Sequence, residues 1–253
     1  MGYTHYWHRP PTIPDGLWDH IQRDFDELVL PLSDAGVVLA GGLGKGPPEI
    51  TKDVIRFNGP EECGHSANEE LMIPYPSNDA EGIGPSSTAI DGDFFGVGVT
   101  VKHRCCNGSC CYETFTLEKA IDDSREEADE DGLYVDYVKT GFRPYDIAIT
   151  CVLLIAKHWL GNQFVVHSNG ADAQWSDARR ICQKVLGYGD WFGIIEEAIM
   201  EETITKAGQD DERPDERHVT RRTLTEYQPP EMSWSDPVWD ALPKRFGRFR
   251  NLR

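Results

Sequence analysis

Aromatic and polar residues interleave from Tyr3 to Trp7, the pattern of a strand that buries one face. If Tyr3, His5 and Trp7 point inward, then Thr4 and Tyr6 point outward, because neighbouring side chains of a strand alternate. After the turn Pro10-Pro11-Thr12-Ile13-Pro14, Asp15 is placed to cap a helix. Leu17, Trp18, Ile21, Phe25, Leu28 and Val29 recur there at helical spacing. Pro31 ends or kinks this helix, since proline has no amide to give. The glycines and prolines of 41–48 predict a loop. Val54-Ile55-Arg56-Phe57 reads as a strand, closed by the turn signal Asn58-Gly59. Residues 94–102 and 112–117 alternate well enough for the two strands of a hairpin, and 133–138 for a further strand. The clearest helical signal covers 144–160: Pro144 has no amide to lose at the first turn, Asp146 faces the positive end of the dipole, and Gly161 can take the left-handed cap. Its middle is apolar on every side, which places it deep in the core. A strand over 163–167, a helix over 177–186 capped by Ser176 and closed by Gly187, and an amphipathic helix over 194–206 complete the pattern.

The resulting order, β-α-β-β-β-β-α-β-α-α, has too few strand–helix alternations for a doubly wound parallel sheet. It predicts an α+β fold, with a mixed or mainly antiparallel sheet packed on a buried central helix. One domain is expected over 1–206, with polar insertions at about 61–93 and 122–131. A charged linker and a partly ordered C-terminal tail are expected over 207–253.

Composition sharpens the class and little else. The 253 residues are 39% hydrophobic and 27% charged, enough apolar material for a core with long polar loops around it. Net charge is −18, from 43 acids against 25 bases, which repels nucleic acid and anionic membrane from most of the surface. The longest apolar run, 147–156, falls far short of the roughly 20 residues a spanning helix needs. The N-terminus lacks an apolar signal region and, with Tyr6 where Ser or Thr is required, the myristoylation pattern. Seven cysteines is an odd count, four of them crowded into Cys105, Cys106, Cys110 and Cys111. A reducing, cytoplasmic setting is expected, with no disulfide framework.

Several fragments occur together in one order: Met1-Gly2-Tyr3-Thr4-His5-Tyr6-Trp7, Phe57-Asn58-Gly59, Tyr112-Glu113-Thr114-Phe115, Lys139-Thr140 with Arg143-Pro144-Tyr145-Asp146, Ser168-Asn169-Gly170 with Trp175, and Leu186-Gly187-Tyr188-Gly189. In these the chain resembles a family of tailed-phage and prophage proteins with bacterial relatives. The resemblance covers roughly residues 1–192. It implies a viral or virus-derived origin and brings no activity with it. The family shows Phe-Cys-Lys-Thr where this chain has Tyr137-Val138-Lys139-Thr140, and Asp where it has Asn169, so no thiol or carboxylate role carries over to those positions.

Three groups of residues carry candidate chemistry. His5, Tyr6 and Trp7 can line a ligand pocket, with His5 as acid, base or ligand and the aromatics as stacking surfaces; packing of one strand face explains them equally. Asn58, Tyr145 and Asn169 join them as candidate ligand-binding residues from the shared fragments. Glu113, Lys139 and Asp146 form a candidate catalytic set: two carboxylates to hold Mg²⁺ and an amine to stabilise charge in metal-assisted phosphodiester hydrolysis. Against this, Asp146 already has a structural task in its helix's first turn, and Lys139 can be its surface partner. Cys105, Cys106, Cys110 and Cys111 form the candidate metal site. The Cys106–Cys110 spacing suits a zinc knuckle, and His103 or Cys63-Gly64-His65 can complete four ligands from another loop; the alternative is a loop of free thiols. A closed four-ligand zinc site is structural. The glycine-rich stretch 41–46 lacks the Gly-Lys-Ser/Thr ending and the following helix of a phosphate loop.

These residues support an accessory protein of viral origin, acting in the host cytoplasm by binding a host or viral partner or a small ligand. The alternative is a metal-assisted enzyme acting on a phosphorylated or nucleic-acid substrate. Nucleic acid is expected to contact only the basic tail, 244–253, which can equally fold back onto the acidic body.

Overall fold

A computed structural model describes residues 3–65, 70–71, 104–106, 108–121, 128–201 and 217–226. Strand β1 (Thr4–Arg9) turns His5, Trp7 and Arg9 inward and Tyr6 outward. Helix α1 (Asp15–Asp34) buries Trp18, Ile21, Phe25, Leu28 and Leu32 along one stripe, at the spacing the sequence shows. It begins at Asp15 itself and continues one turn past Pro31, so Asp15 is a first-turn acid and not the cap.

The short strands β2 (Glu49–Ile50), β3 (Val54–Phe57), β4 (Glu70–Leu71), β5 (Arg104–Cys105) and β6 (Phe115–Glu118) come next. Strand β3 lies between β2 and β6 in a small antiparallel sheet, with Phe57 opposite Phe115. Strands β4 and β5 form a separate two-stranded ladder. The expected hairpin partner of β6, residues 94–102, lies outside the described residues, as do 122–127 of the acidic insertion.

The main sheet is assembled from β1, β7 (Tyr134–Lys139), β8 (Val165–Ser168), β9 (Phe192–Glu201) and β10 (Arg217–Glu226), in the order β7-β1-β8-β10-β9. All neighbours pair antiparallel. The α+β class with an antiparallel sheet is therefore what the chain adopts. Helix α2 (Asp146–Leu160) links β7 to β8 and is buried continuously from Asp146 to Lys157. It packs on α1 and on α3 (Ser176–Leu186), as its all-round apolar middle requires. Near its end, Lys157 turns its ammonium back onto the carbonyls of Gly161 and Phe164, at 2.9 and 3.0 Å.

Two expectations are corrected here. Residues 194–206 were expected to be helical, yet β9 is a strand in which Phe192 and Ile194 face the core. Its apolar positions fit either period, and the ten-residue register with β10, Arg217↔Glu201 through Glu226↔Phe192, decides in favour of the strand. The domain likewise does not stop at 206: β10 lies inside the main sheet between β8 and β9, with Leu224 in the core. Residues 202–216 and 227–253, including the basic tail, lie outside the described residues. No helix of the described residues is long and apolar enough to cross a membrane.

This topology brings particular ends together. Thr4 sits opposite Lys139 and His5 opposite Ser168, so β7 and β8 both finish beside the start of β1. Helices α2 and α3 begin from those same strand ends.

Candidate metal centre

The segment after β3 and the segment after β5 meet on either side of Asn58. The Asn58 amide, fully buried, donates to the Tyr112 carbonyl at 3.0 Å. Its oxygen accepts from Gly59 N–H at 2.8 Å and Tyr112 N–H at 3.1 Å. Gly59 allows the approach: a Cβ there would lie 2.1 Å from the Cys110 carbonyl oxygen. Asn58 is therefore a clamp between two loops, in place of the ligand contact expected of it.

The clamp sets Cys63 and His65 against Cys106 and Cys110, and their donor atoms all lie within 4.8 Å of one another. Cys63 and Cys106 sulfurs are 3.1 Å apart, and Cys110 Sγ is 3.5 Å from His65 Nδ1. Around a tetrahedral ion with ordinary Zn–S and Zn–N bonds, S···S and S···N edges are about 3.8 and 3.6 Å, so a few tenths of an ångström of adjustment seat a metal. A sulfur-rich set with one imidazole suits a borderline-soft ion such as zinc. Burial raises the Cys63 thiol, but the amide of His65, the Cys106 thiol and the amide of Cys110 outweigh it and bring its pKa down to about 6. Burial pushes Cys106 and Cys110 upward; the Cys63 thiol adds to both, and Cys106 adds to the rise at Cys110 while Cys110 partly offsets that at Cys106. A bound cation reverses that effect, because metal binding displaces thiol protons.

The four cysteines expected to hold a metal are thus only partly brought together. Cys106 and Cys110 are in the cluster. Cys111 turns away, its thiol directed at the Tyr112 carbonyl at 3.6 Å, and the Cys105 side chain lies outside the described residues. The places beside Cys106 and Cys110 are taken by Cys63 and His65. Of the two completions the sequence offers, the fold brings in Cys63 and His65, while His103 lies outside the described residues.

Glu113, Lys139 and Asp146 do not form a shared cation site. Glu113 Oε2 accepts the Lys139 backbone N–H at 2.7 Å, and the exposed Lys139 side chain pairs with neither carboxylate. Asp146 is fully buried; its Oδ1 accepts from His5 Nε2 at 2.8 Å and from the Thr140 hydroxyl at 2.7 Å. Burial alone raises its pKa, but His5, Arg104 and Thr140 together hold it below the ordinary value. Among the described residues, Cys63, His65, Cys106 and Cys110 are the group that gathers three or more metal-type donors.

His5 continues the network. Ser168 Oγ lies 2.9 Å from His5 Nδ1, and accepts from Gly170 N–H at 2.8 Å and from Trp175 Nε1–H at 3.4 Å. With both lone pairs engaged, the serine proton goes to His5 Nδ1, so His5 carries its own proton on Nε2, toward Asp146. The chain Ser168–His5–Asp146 has triad composition, but its hydroxyl oxygen is occupied and its residues are buried. It orients side chains; it is not a nucleophile.

The other expected ligand residues separate by face. Trp7 packs in the core against Phe115, with ring centroids 5.3 Å apart, while Tyr6 stands outward beside Tyr137 at 6.1 Å. Buried Tyr145 donates its hydroxyl to the Glu113 carbonyl at 2.7 Å, holding the 112–114 segment against β7. Asn169 is exposed, and its backbone bonds Thr4 and Arg222. Arg104, which the sequence reading did not single out, is fully buried among Asp146, Asp177 and Phe142. Comparison with protein-family models, curated proteins and solved structures finds no match to the chain.

Proposed function

We propose that this is a zinc-stabilised binding protein of viral origin, which acts in a host cytoplasm by holding a small ligand or a partner. The observation that carries the zinc assignment is the convergence of four donors, Cys63, His65, Cys106 and Cys110, within 4.8 Å. Four protein ligands fill a tetrahedral ion and leave no open position for a substrate, so the ion clamps loops and performs no chemistry. Two residues before Cys106, the Arg104 guanidinium is buried against Asp146 and Asp177 at the starts of α2 and α3, and that is where a bound molecule would be held. The enzyme alternative needs a carboxylate free to take Mg²⁺, and Asp146 is engaged by His5 and Thr140. Viral origin rests on the sequence resemblance alone.

Native mass spectrometry of the protein taken from its own cytoplasm tests this directly. One zinc per chain is expected, lost in the Cys106→Ser, Cys110→Ser double variant, together with any retained small molecule or partner chain. Metal-free protein that neither takes up added zinc nor changes its thermal stability in its presence would overturn the assignment.

A further inference from the structure

The starts of α2 and α3 and the turn after β7 enclose a fully buried guanidinium, that of Arg104. Its Cζ lies 3.9 Å over the centroid of the Phe142 ring. Its Nη2 lies 3.4 Å from Asp146 Oδ2, 3.8 Å from Asp177 Oδ2 and 3.4 Å from the Gln174 carbonyl. An aromatic face, two carboxylates and a carbonyl make up the chemistry that selects a planar cation. Phe142 is held at φ +58, a conformation that L side chains rarely adopt, and Tyr3 braces its ring edge-on at 4.9 Å. Backbone strain of this kind persists where the surroundings over-determine a conformation, as they do at ligand clamps.

The pocket is better built than its occupant is seated. Arg104 Nε and Nη1 are buried without a hydrogen-bond partner, and Asp146 Oδ2 accepts no hydrogen bond of normal geometry. Buried guanidinium donors are ordinarily satisfied, because each unmet N–H carries a desolvation cost. Walls and plug also come from different parts of the chain. The walls belong to the core helices and the turn between β7 and α2, whereas Arg104 comes from β5, whose ladder is with β4 and not with the main sheet. What anchors β5 is Cys106 two residues on, a member of the metal cluster whose carbonyl accepts from Arg143.

We infer that this pocket is a recognition site for a small guanidinium cation, filled in cis by Arg104 and opened when the β5 segment swings away. The pocket stands on its own geometry; the link to metal occupancy rests on the zinc reading above. A net charge of −18 raises the local concentration of such cations. A ligand free to tilt can meet Asp146 Oδ2 fork-on, which a guanidinium tethered to β5 does not do.

The test uses the full chain with agmatine as probe, and tetramethylammonium chloride at matched ionic strength as control. Arg104→Ala should bind agmatine, seen as a calorimetric isotherm and a raised melting temperature, and Arg104→Ala with Asp146→Asn should lose that binding by about tenfold or more. Wild type stripped of metal should bind agmatine at least about tenfold more tightly than metal-loaded wild type. If Arg104→Ala is too unstable to purify, Arg104→Met keeps the packing of the stem and takes its place. An arginine tripeptide in a parallel arm separates a free guanidino compound from a peptide side chain. No agmatine binding by the stripped wild type would overturn the proposal, since a merely structural Arg104 would keep the site closed. Binding by Arg104→Ala that survives Asp146→Asn would also overturn it. If the chain proves to carry no metal, the zinc reading fails alone, and the protein as purified should then bind agmatine.

Discussion

Two clusters of titratable side chains lie close together in this protein and are built on opposite logic. In the network of His5, Asp146, Thr140 and Ser168, nearly every polar atom has a partner, supplied by rigid strands and helices that pack a continuous apolar core. In the cluster of Cys63, His65, Cys106 and Cys110, the side-chain donors face chiefly one another, on loops with little apolar packing. Apart from Asp146 Oδ2, which faces Arg104, the first is satisfied by the protein's own groups. The second offers four donors to a cation. The difference shows why a buried carboxylate at a helix start is poor evidence of catalysis, whereas four mutually facing soft donors are good evidence of a metal.

The largest expected effect falls on the complete network. Asp146→Ala removes the partner of His5, Thr140 and Arg104 at once and should cost about 3–5 kcal/mol, read from the denaturant midpoint. A loss below about 1 kcal/mol would mean that only the helix-start charge mattered. Chelation should act differently. Hydrogen exchange should speed up by about tenfold or more across 59–65 and 104–112 while the amides of α2 stay protected, because local and global opening are separate events. Uniform loss of protection would place the metal loops inside the cooperative core. Asn58→Ala, which unclamps those loops and strands the Tyr112 and Gly59 backbone groups, should cost about 1–3 kcal/mol and weaken zinc retention in a competition assay.

A smaller effect concerns pH. Burial, with Arg221 and His8 adding positive charge, lowers His167 from its ordinary 6.5 to about 4. The unfolded chain therefore binds the proton more readily than the folded one. The corresponding stability is fully present above about 6.5 and is lost as pH falls toward 4; Thr223, which bonds His167 Nδ1 at 3.0 Å, goes with it. In His167→Gln, that part of the acid slope should flatten in a stability-against-pH series. The smallest effect belongs to Lys139→Ala, whose exposed side chain pairs with neither carboxylate: about 0.5 kcal/mol or less in the same denaturation assay. A large loss of function there with unchanged stability would revive the metal-assisted hydrolase.

How much was legible depends on the range of the interaction that decides each feature. Helix α2 was readable from Pro144, Asp146 and Gly161 around an apolar run, and β1 from its alternation: with His5 and Trp7 inward, Tyr6 stands outward, although Thr4, expected to join it, is buried. Residues 194–201 were misread because Ile194, Ile195, Ala198 and Ile199 fit both periods, and only pairing with β10 breaks the tie. At the candidate metal centre, Cys106 and Cys110 announced themselves by spacing, and Cys63 with His65 stood as one option among two. Asn58 and Tyr145 looked like ligand residues and hold loops together, since a buried hydrogen bond and a ligand contact draw on the same polar side chains.

Sequence alone determined the class of fold, the central buried helix, the net negative charge and the presence of a thiol-rich candidate for zinc, all of which follow from local periodicity and composition. Tertiary structure alone decided which cysteines face one another, that 217–226 completes the main sheet, and that Arg104 is buried against the starts of distant helices. Those features depend on contacts between residues far apart in the chain. Their partners are chosen by how the core closes, and no local pattern records that choice.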